Sequence, residues 1–366
     1  MHIAVVGGGI AGASAAYHLA KAGKKVTIID SKEKGQATAA GAGIISPWLS
    51  KRVRIQPYFI LAKAGALYYP KLLELLEEDG QADIGYKQVG ALYVSASKKR
   101  LDELEKLAYK QRIDTPEIGE IKRLSPEEAR EKFPPLREDM TALYLEGAAR
   151  VDGRQLLQAL LAAGEKHGVR YVQGEASLLH EGKNKVTGVR VGDEIIEADA
   201  VVAAAGAWIN KLLDPVGVEL PIVPQKGQIM HMHVDADTSD WPVIMPKSSH
   251  YLLGFEGGKV VAGATREVNA GYDVKQTAAG MQEVIREALK VAPGIADEEV
   301  SEFRVGLRPA GPNPYPILGP VKDVAGLHLA AGFGPAGLNL APYSGKLVAK
   351  AILGQTADVD IAAYLL

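Results

Sequence analysis

The sequence predicts an α/β fold in which a doubly wound parallel sheet is joined to a second α+β domain built on a mixed, largely antiparallel sheet. Three observations point there. The chain opens with an apolar strand that runs into a glycine turn and an alanine-rich helix; buried apolar runs of the parallel-sheet kind return near residues 200 and 328. The stretch from about 220 to 265 reads instead as antiparallel strands with glycine turns. With 366 residues, 47% of them hydrophobic, there is material for roughly two domains of ~100–200 residues. A formal charge of −2 offers no broad basic surface to nucleic acid or an anionic membrane, which favours a small-molecule partner.

Taken in order, "HIAVVGG" is a buried strand, "AGASAAYHLAKAG" a helix ending at Gly23, and "KKVTIID" a β-branched strand. A Gly/Ala-rich loop over 35–46 precedes "FILAKAGALYYPKLLELLEE", a helical stretch interrupted at Pro70. "YKQVGALYVSAS" reads as a strand and "SKKRLDELEKLAYKQR" as an amphipathic helix. In "LSPEEAREKF", Ser125 is the N-cap, Pro126 opens the first turn and Glu128 closes a capping box; Asp152 caps the helix of "VDGRQLLQALLAAGEKHG". "VRYVQGEA", "KVTGVRV" and "DEIIEADAVVAAAG" are strands, the last a fully buried run. "PQKGQIMHMHV", "WPVIMP" and "HYLLGFEGGKVVAGA" form antiparallel strands with "EGG" as a hairpin turn, and the helix "TAAGMQEVIREALKVAP" separates them from the C-terminal strand, turn and helix. A nucleotide-binding domain is therefore expected from three pieces, 1–85, 146–219 and 308–366, with 86–145 and 220–307 forming the second domain.

Cysteine is absent, which removes disulfides, thiolate metal sites and any cysteinyl cofactor link. No segment reaches the ~18 uninterrupted apolar residues of a membrane span. The start "MHIAVVGGG" enters a strand directly rather than a cleavable leader, and a cytoplasmic location is expected.

Gly7, Gly9 and Gly12 satisfy GxGxxG, with a strand before, a helix after, and Asp30 ending the next strand about 20 residues on. Gly7 permits the turn, Gly9 lets backbone approach a pyrophosphate, and Gly12 lets the helix pack closely on the sheet. Amides at the helix start would meet phosphate charge, and Asp30 would accept from a ribose diol. Two later segments favour FAD over NAD. "GQATAAGAGII", residues 35–45, offers small side chains on which a planar ring could lie. "AAGFGPAGLNLAP" repeats strand, glycine turn and helix, with Gly332, Gly334 and Gly337 clearing space for a second helix N-terminus suited to the N1–C2=O edge of a reduced flavin.

With these pieces in order, the sequence resembles the glycine oxidase and D-amino acid oxidase family of FAD-dependent amine oxidoreductases. The carriers are the N-terminal "AVVGGGIAGASAAYHLAKAGKKVTIID", then "TAAGAGII", "ADAVVAAAGAWI", "VPQKGQ", "VGLRP" and "AAGFGPAGLNLAPYSG". The resemblance implies a Rossmann-like FAD-binding domain beside a substrate domain. It places Ile10 and Ala11 at the pyrophosphate, Asp30 and Ser31 at the adenosine ribose, and Ala176 at adenine. Thr38, Ala42, Gly43 and Ile44 would line the isoalloxazine. Gly206 joins the FAD site, and Phe333, Gly334, Pro335, Ala336, Gly337, Leu338 and Asn339 would wrap the pyrimidine end. With no cysteine available for a thioether, the flavin is expected to be non-covalent.

In "GLRPAGPNPYPILGP", residues 306–320, Arg308 is the one side chain charged at neutral pH. A guanidinium stays charged at physiological pH and its planar fork matches a carboxylate. The resemblance makes Arg308 the clamp for a substrate carboxylate, joined by the Tyr251 phenol; the alternative is a structural arginine bonded to carbonyls of a proline-rich loop. Arg266 is expected to be a solvated surface residue beside Glu267, and turned inward it would call for a second acid on the substrate. Two histidines alone seldom make a metal site, so His231 and His233 are read as strand-surface residues, with Met230 and Met232 on the opposite, apolar face. Trp208 is assigned to core packing at a helix start, while Tyr315 either edges the pocket or packs in its loop. The expected activity is oxidative deamination of a small amino acid or amine (glycine, sarcosine or a D-amino acid), with hydride passing from Cα to flavin N5. Oxygen and another acceptor are both compatible with the pattern, as is a homo-oligomer. The competing readings are a dehydrogenase using a non-oxygen acceptor, a tRNA-modifying amine oxidoreductase, which the charge balance disfavours, and a flavin-binding regulatory module without turnover.

Overall fold

The computed structural model describes the whole chain, residues 1–366. The three buried runs read from the sequence become neighbours at the centre of one six-stranded sheet. Its order is Ile317–Pro320, Leu327–Ala331, Ala200–Ala203, His2–Val6, Lys25–Asp30 and Arg170–Gln173. Every adjacent pair is parallel except the first, an antiparallel edge. Helices Ile10–Lys21 and Gly337–Ile352 pack together on one face. A small antiparallel sheet, Ala176–Glu181, Lys185–Val191 and Glu194–Glu197, covers the other. Its inward residues Leu178, Val186, Val189 and Ile196 share a buried cluster with Ala4, Val6, Ile29 and Val201. Both faces of the parallel sheet are thus apolar and covered, as continuous rather than alternating hydrophobic strands require.

His2–Val6 has Lys25–Asp30 on one side and Ala200–Ala203 on the other. Strand order reverses there, so connections leave in opposite directions and open a crevice beyond the carboxyl ends of the strands. The glycine turn sits in that crevice.

The second sheet has eight strands: Glu299–Ala310, Val223–His233, Lys259–Gly263, Tyr251–Gly254, Val243–Met245, Ala91–Ser95, Thr141–Leu145 and Ile121–Leu124. It is mixed, since Val243–Met245 runs parallel to Ala91–Ser95 and the other pairs are antiparallel. Met230, Met232, Leu252, Val260 and Ala262 face Val284, Ala288 and Val291 of the amphipathic helix Ala278–Val291 in a separate core.

Local signals held where they were specific. Ser125 and Glu128 form the reciprocal capping box, and the Asp152 side chain accepts from the amides of Arg154 and Gln155. Three readings need correction. The helix Gln56–Glu78 continues through Pro70; the proline faces solvent, while buried Tyr69, Leu72 and Leu76 hold the turns around it. "YKQVGALYVSAS" splits into Lys87–Gln88 and Ala91–Ser95, broken at Gly90, whose φ is +74°. Arg308 belongs to no proline-rich loop but to the long strand Glu299–Ala310, paired along its length with Val223–His233.

Candidate active site

A single cavity of about 1020 Å³ runs from the glycine turn of the parallel sheet to the inner end of the eight-stranded sheet. At the first end, Gly7 has φ of +105°, and a side chain there would strike the Ala204 carbonyl. Below it, a methyl on Gly12 would run into the Gly7 carbonyl oxygen. The turn can therefore sit this close to helix and sheet only with glycine at both positions. Gly9 has no such crowding and opens onto the cavity.

The start of helix Ile10–Lys21 presents amide donors to this space. Ile10 N–H donates to Thr38 Oγ1 at 3.1 Å, whereas the amides of Gly9, Ala11 and Gly12 meet no protein acceptor. Unpaired N–H groups at a helix N-terminus suit an anion such as a pyrophosphate. Asp30 Oδ2 accepts from Gly8 N–H at 2.5 Å, and Oδ1 from the Lys32 amide at 2.6 Å and Gln36 Nε2 at 2.9 Å. The carboxylate is buried, held at the crevice edge and aligned by the turn it would serve. These donors and this crevice fit a dinucleotide.

Of the residues expected at the cofactor, Gly7, Gly9, Ile10, Ala11, Asp30, Ser31, Thr38, Ala42, Gly43, Ile44, Ala176, Gly206 and Phe333 through Asn339 all line the cavity. Gly12 and Gly332 do not. Gly12 acts beneath the turn, and Gly332 faces Ile222 and Pro316 on the far side of its strand. Asn339 donates through Nδ2 to the Ala62 carbonyl at 2.9 Å, tying the last helix to Gln56–Glu78. Trp208, assigned to core packing, lines the cavity and stacks on Tyr272. Tyr315 stays outside it, packed edge-on against Tyr364.

The small-residue loop is fixed to the eight-stranded sheet by backbone: Leu307 N–H donates to the Gly35 carbonyl at 2.8 Å, and Gln36 bridges to Leu307. This contact brings the loop alongside the strand that carries Arg308. The Arg308 guanidinium lies directly over Gly227, where a side chain would collide with it. Its Nη1 donates to the Thr265 carbonyl at 3.1 Å. No carboxylate lies within ion-pair distance of it. Burial pulls the guanidinium below its ordinary pKa, yet arginine remains charged in proteins.

Tyr251 stands opposite Gly263 in the sheet, and the missing side chain at 263 makes room for the phenol. Burial pushes its pKa up to about 12, with the Arg308 charge acting in the opposite direction. The hydroxyl is therefore protonated at neutral pH and available as a donor. Arg266 is exposed, but it also lines the cavity and is felt electrostatically at Arg308. It does not pair with Glu267, whose carboxylate turns to Gln228, Thr265 and Lys226. Arg266 is thus solvated, as expected, and stands at the edge of the cavity. The reading of His231 as a strand-surface residue is corrected: it is 4% exposed, beside Thr38, Asp152 and Arg304; His233, two residues on, is exposed. No group of histidine, aspartate or glutamate has a metal-binding arrangement, and no helix is long and apolar enough to cross a membrane.

Comparison with known proteins bears on the chemistry. The family described as FAD dependent oxidoreductase (DAO) matches residues 2–351. The chain is 49% identical to YurR of Bacillus subtilis, described as an uncharacterized oxidoreductase, over 98% of this chain and 97% of that protein. It is 31% identical to glycine oxidase of Pseudomonas aeruginosa, covering 99% and 97%. Among solved structures, the iminodiacetate oxidase IdaA of Chelativorans sp. BNC1 superposes with a TM-score of 0.96 at 41% identity, covering 99% and 98%.

Proposed function

The chain belongs to the DAO family of FAD-dependent oxidoreductases, and from that premise we propose that it oxidises the C–N bond of a small amine carrying two carboxylates, of the kind iminodiacetate represents. One observation carries the reading: two guanidinium groups, Arg308 and Arg266, line the substrate end of the cavity and neither has a carboxylate partner in the protein. A pocket with two unpaired cations favours a dianion over glycine or sarcosine. The solved relative named for iminodiacetate supports the same class.

The FAD cradle is assigned to Gly7, Gly9, Ile10, Ala11, Asp30, Thr38, Ala42, Gly43, Ile44 and the segment Phe333–Asn339, without a covalent bond. When bound, FAD supplies the two-electron acceptor for hydride leaving the carbon next to the amine. Arg308 holds the carboxylate on that carbon as a bidentate pair, with Thr265 fixing the other edge of the guanidinium. Tyr251, neutral and half-buried, donates to the same carboxylate. Arg266, nearer solvent, takes the second carboxylate. No side-chain base is needed when the amine enters unprotonated and is held in place. The resulting imine then takes up water and releases an amine and a carbonyl acid.

Oxygen-free titration of the holoenzyme tests this reading. Iminodiacetate should bleach the flavin absorbance at lower concentration than glycine, sarcosine or a D-amino acid. Preferential bleaching by any of the monocarboxylates would overturn the dicarboxylate assignment, and failure of every compound to bleach it would overturn amine oxidation itself.

A further inference from the structure

The two loops that bound the dinucleotide crevice are joined from outside by a segment of the other sheet. Lys25–Asp30 and Ala200–Ala203 flank His2–Val6, so the loops that leave them, at 35–38 and 206–208, stand on either side of the glycine turn. Gln36, Ala37, Ala207 and Trp208 of these loops line the cavity. Residues 264–277 connect strand Lys259–Gly263 to helix Ala278–Val291. Within them the exposed Tyr272 donates its hydroxyl to the Ala207 carbonyl at 3.2 Å, and its ring stacks on Trp208 with centroids 5.9 Å and planes 26° apart. Two residues on, Val274 lies against Gly35, where a side chain would strike Val274 Cγ1. One segment thus touches both loops.

Between these two contacts the segment is tied down by charge. Asp273 stands 3.4 Å from Nζ of Lys226, an ammonium only 1% exposed on strand Val223–His233. A buried ammonium needs anionic partners, which holds Asp273 to the sheet. Asp273 Oδ1 also accepts from the Lys275 amide at 3.0 Å, and the Asp273 N–H donates to the Ala270 carbonyl at 3.1 Å. Neither Tyr272 nor Val274 lines the cavity; both bear on the loops that do. No step of the reaction uses them.

We propose that residues 269–275 are a strap that closes the crevice over bound FAD, with Tyr272 and Val274 as its positioning residues, and that opening of the strap governs how fast the cofactor leaves. A dinucleotide lying across the glycine turn passes between the two loops. They part to release it only when the contacts with Ala207, Trp208 and Gly35 break. The inference rests on the FAD reading of the cavity and is independent of which amine is oxidised.

Release of FAD from the diluted holoenzyme, followed by the rise in flavin fluorescence, is the measurement. Tyr272→Ala removes the stack and the hydroxyl bond together and should speed release at least about tenfold, about 1.4 kcal/mol. Tyr272→Phe keeps the ring and should recover most of the retention. Release from Tyr272→Ala within about threefold of the parent, about 0.65 kcal/mol, overturns the strap. A second variant tests the other loop. A Cβ at Gly35 would lie 3.5 Å from Val274 Cβ, within the span of a disulfide, and the chain has no cysteine of its own. Gly35→Cys with Val274→Cys, loaded with FAD while reduced and then oxidised, should release the cofactor at least about tenfold more slowly, about 1.4 kcal/mol, than the same protein left reduced. Both forms carry the same strain at the Gly35 φ of +86°, so the comparison isolates the cross-link. Equal rates, or failure to cross-link, would contradict the strap. A parent chain that takes up no FAD would instead remove the cradle assignment itself.

Discussion

Replacing Arg308 with alanine is the perturbation whose size the structure bounds best. The guanidinium has one protein acceptor, the Thr265 carbonyl, and no acid partner, so most of its donors are left for a ligand. A carboxylate placed about 4 Å away at an effective dielectric near 20 gains roughly 4 kcal/mol. Desolvation of both ions offsets part of that. Truncating one member of a buried hydrogen-bonded charge pair costs about 2–5 kcal/mol, so kcat/KM should fall by about 30-fold to a few thousandfold. Arg308→Lys keeps the charge but not the fork, and should recover only part of the loss. The assay is steady-state oxidation of the dicarboxylate amine, with flavin content per chain measured on the same preparations. That content should be unchanged, because the amide donors of the glycine turn are on another element. A kcat/KM within about threefold of the parent, about 0.65 kcal/mol, would refute the clamp.

Other consequences follow from the same geometry. Arg266→Ala should lower kcat/KM for a dicarboxylate about five- to tenfold, near the ~1 kcal/mol upper end for an exposed ion pair, and leave a monocarboxylate unaffected; equal losses for both would remove its role in selectivity. Gly12→Ala, which drives a methyl into the Gly7 carbonyl, should yield protein lacking bound flavin by absorbance, and full flavin content would refute the packing argument. Tyr251→Phe should cost roughly 0.5–1.5 kcal/mol in substrate affinity, with no phenol ionisation in the pH–rate profile below about pH 11, since burial holds that group up at about 12. His18 and His231 are both pushed down to about 3 by burial. An unfolded histidine takes up its proton near pH 6.5, so stability should fall as pH drops from about 6.5 toward 3, by up to about 1.4 kcal/mol per unit for each. Urea midpoints of His231→Gln should fall less steeply over that window, and an identical slope would count against it.

The nucleotide end of the molecule was legible because its signals are local and backbone-encoded. Gly7 and Gly12 are required by collisions with atoms only a few residues away or on the adjacent strand, and strand, turn, helix and acidic residue lie in one continuous stretch. Ser125, Glu128 and Asp152 announce their helices for the same reason. What the chain hid depends on distant partners. Arg308 sits among glycine and proline, yet pairing with Val223–His233 makes its segment a strand. Pro70 looks like a helix break until the burial of Tyr69, Leu72 and Leu76 is known. His231 alternates like a surface residue, but Thr38, Asp152 and Arg154, distant in the chain, close over it. Arg266 and Glu267 are parted because consecutive residues of an extended segment face opposite sides, Glu267 turning to Gln228, Thr265 and Lys226 and Arg266 to the cavity. Gly332 belongs to the glycine-rich turn in sequence and faces away from the cavity in space.

The account turns on a permanently charged arginine gripping an acid beside the bond that breaks. Anaerobic mixing of the holoenzyme with a dicarboxylate amine, and with the diester of the same amine, isolates that grip from the intrinsic reactivity of the C–H bond. The diacid should reduce the flavin and the diester should leave it oxidised. Reduction by both at similar rates would contradict the account.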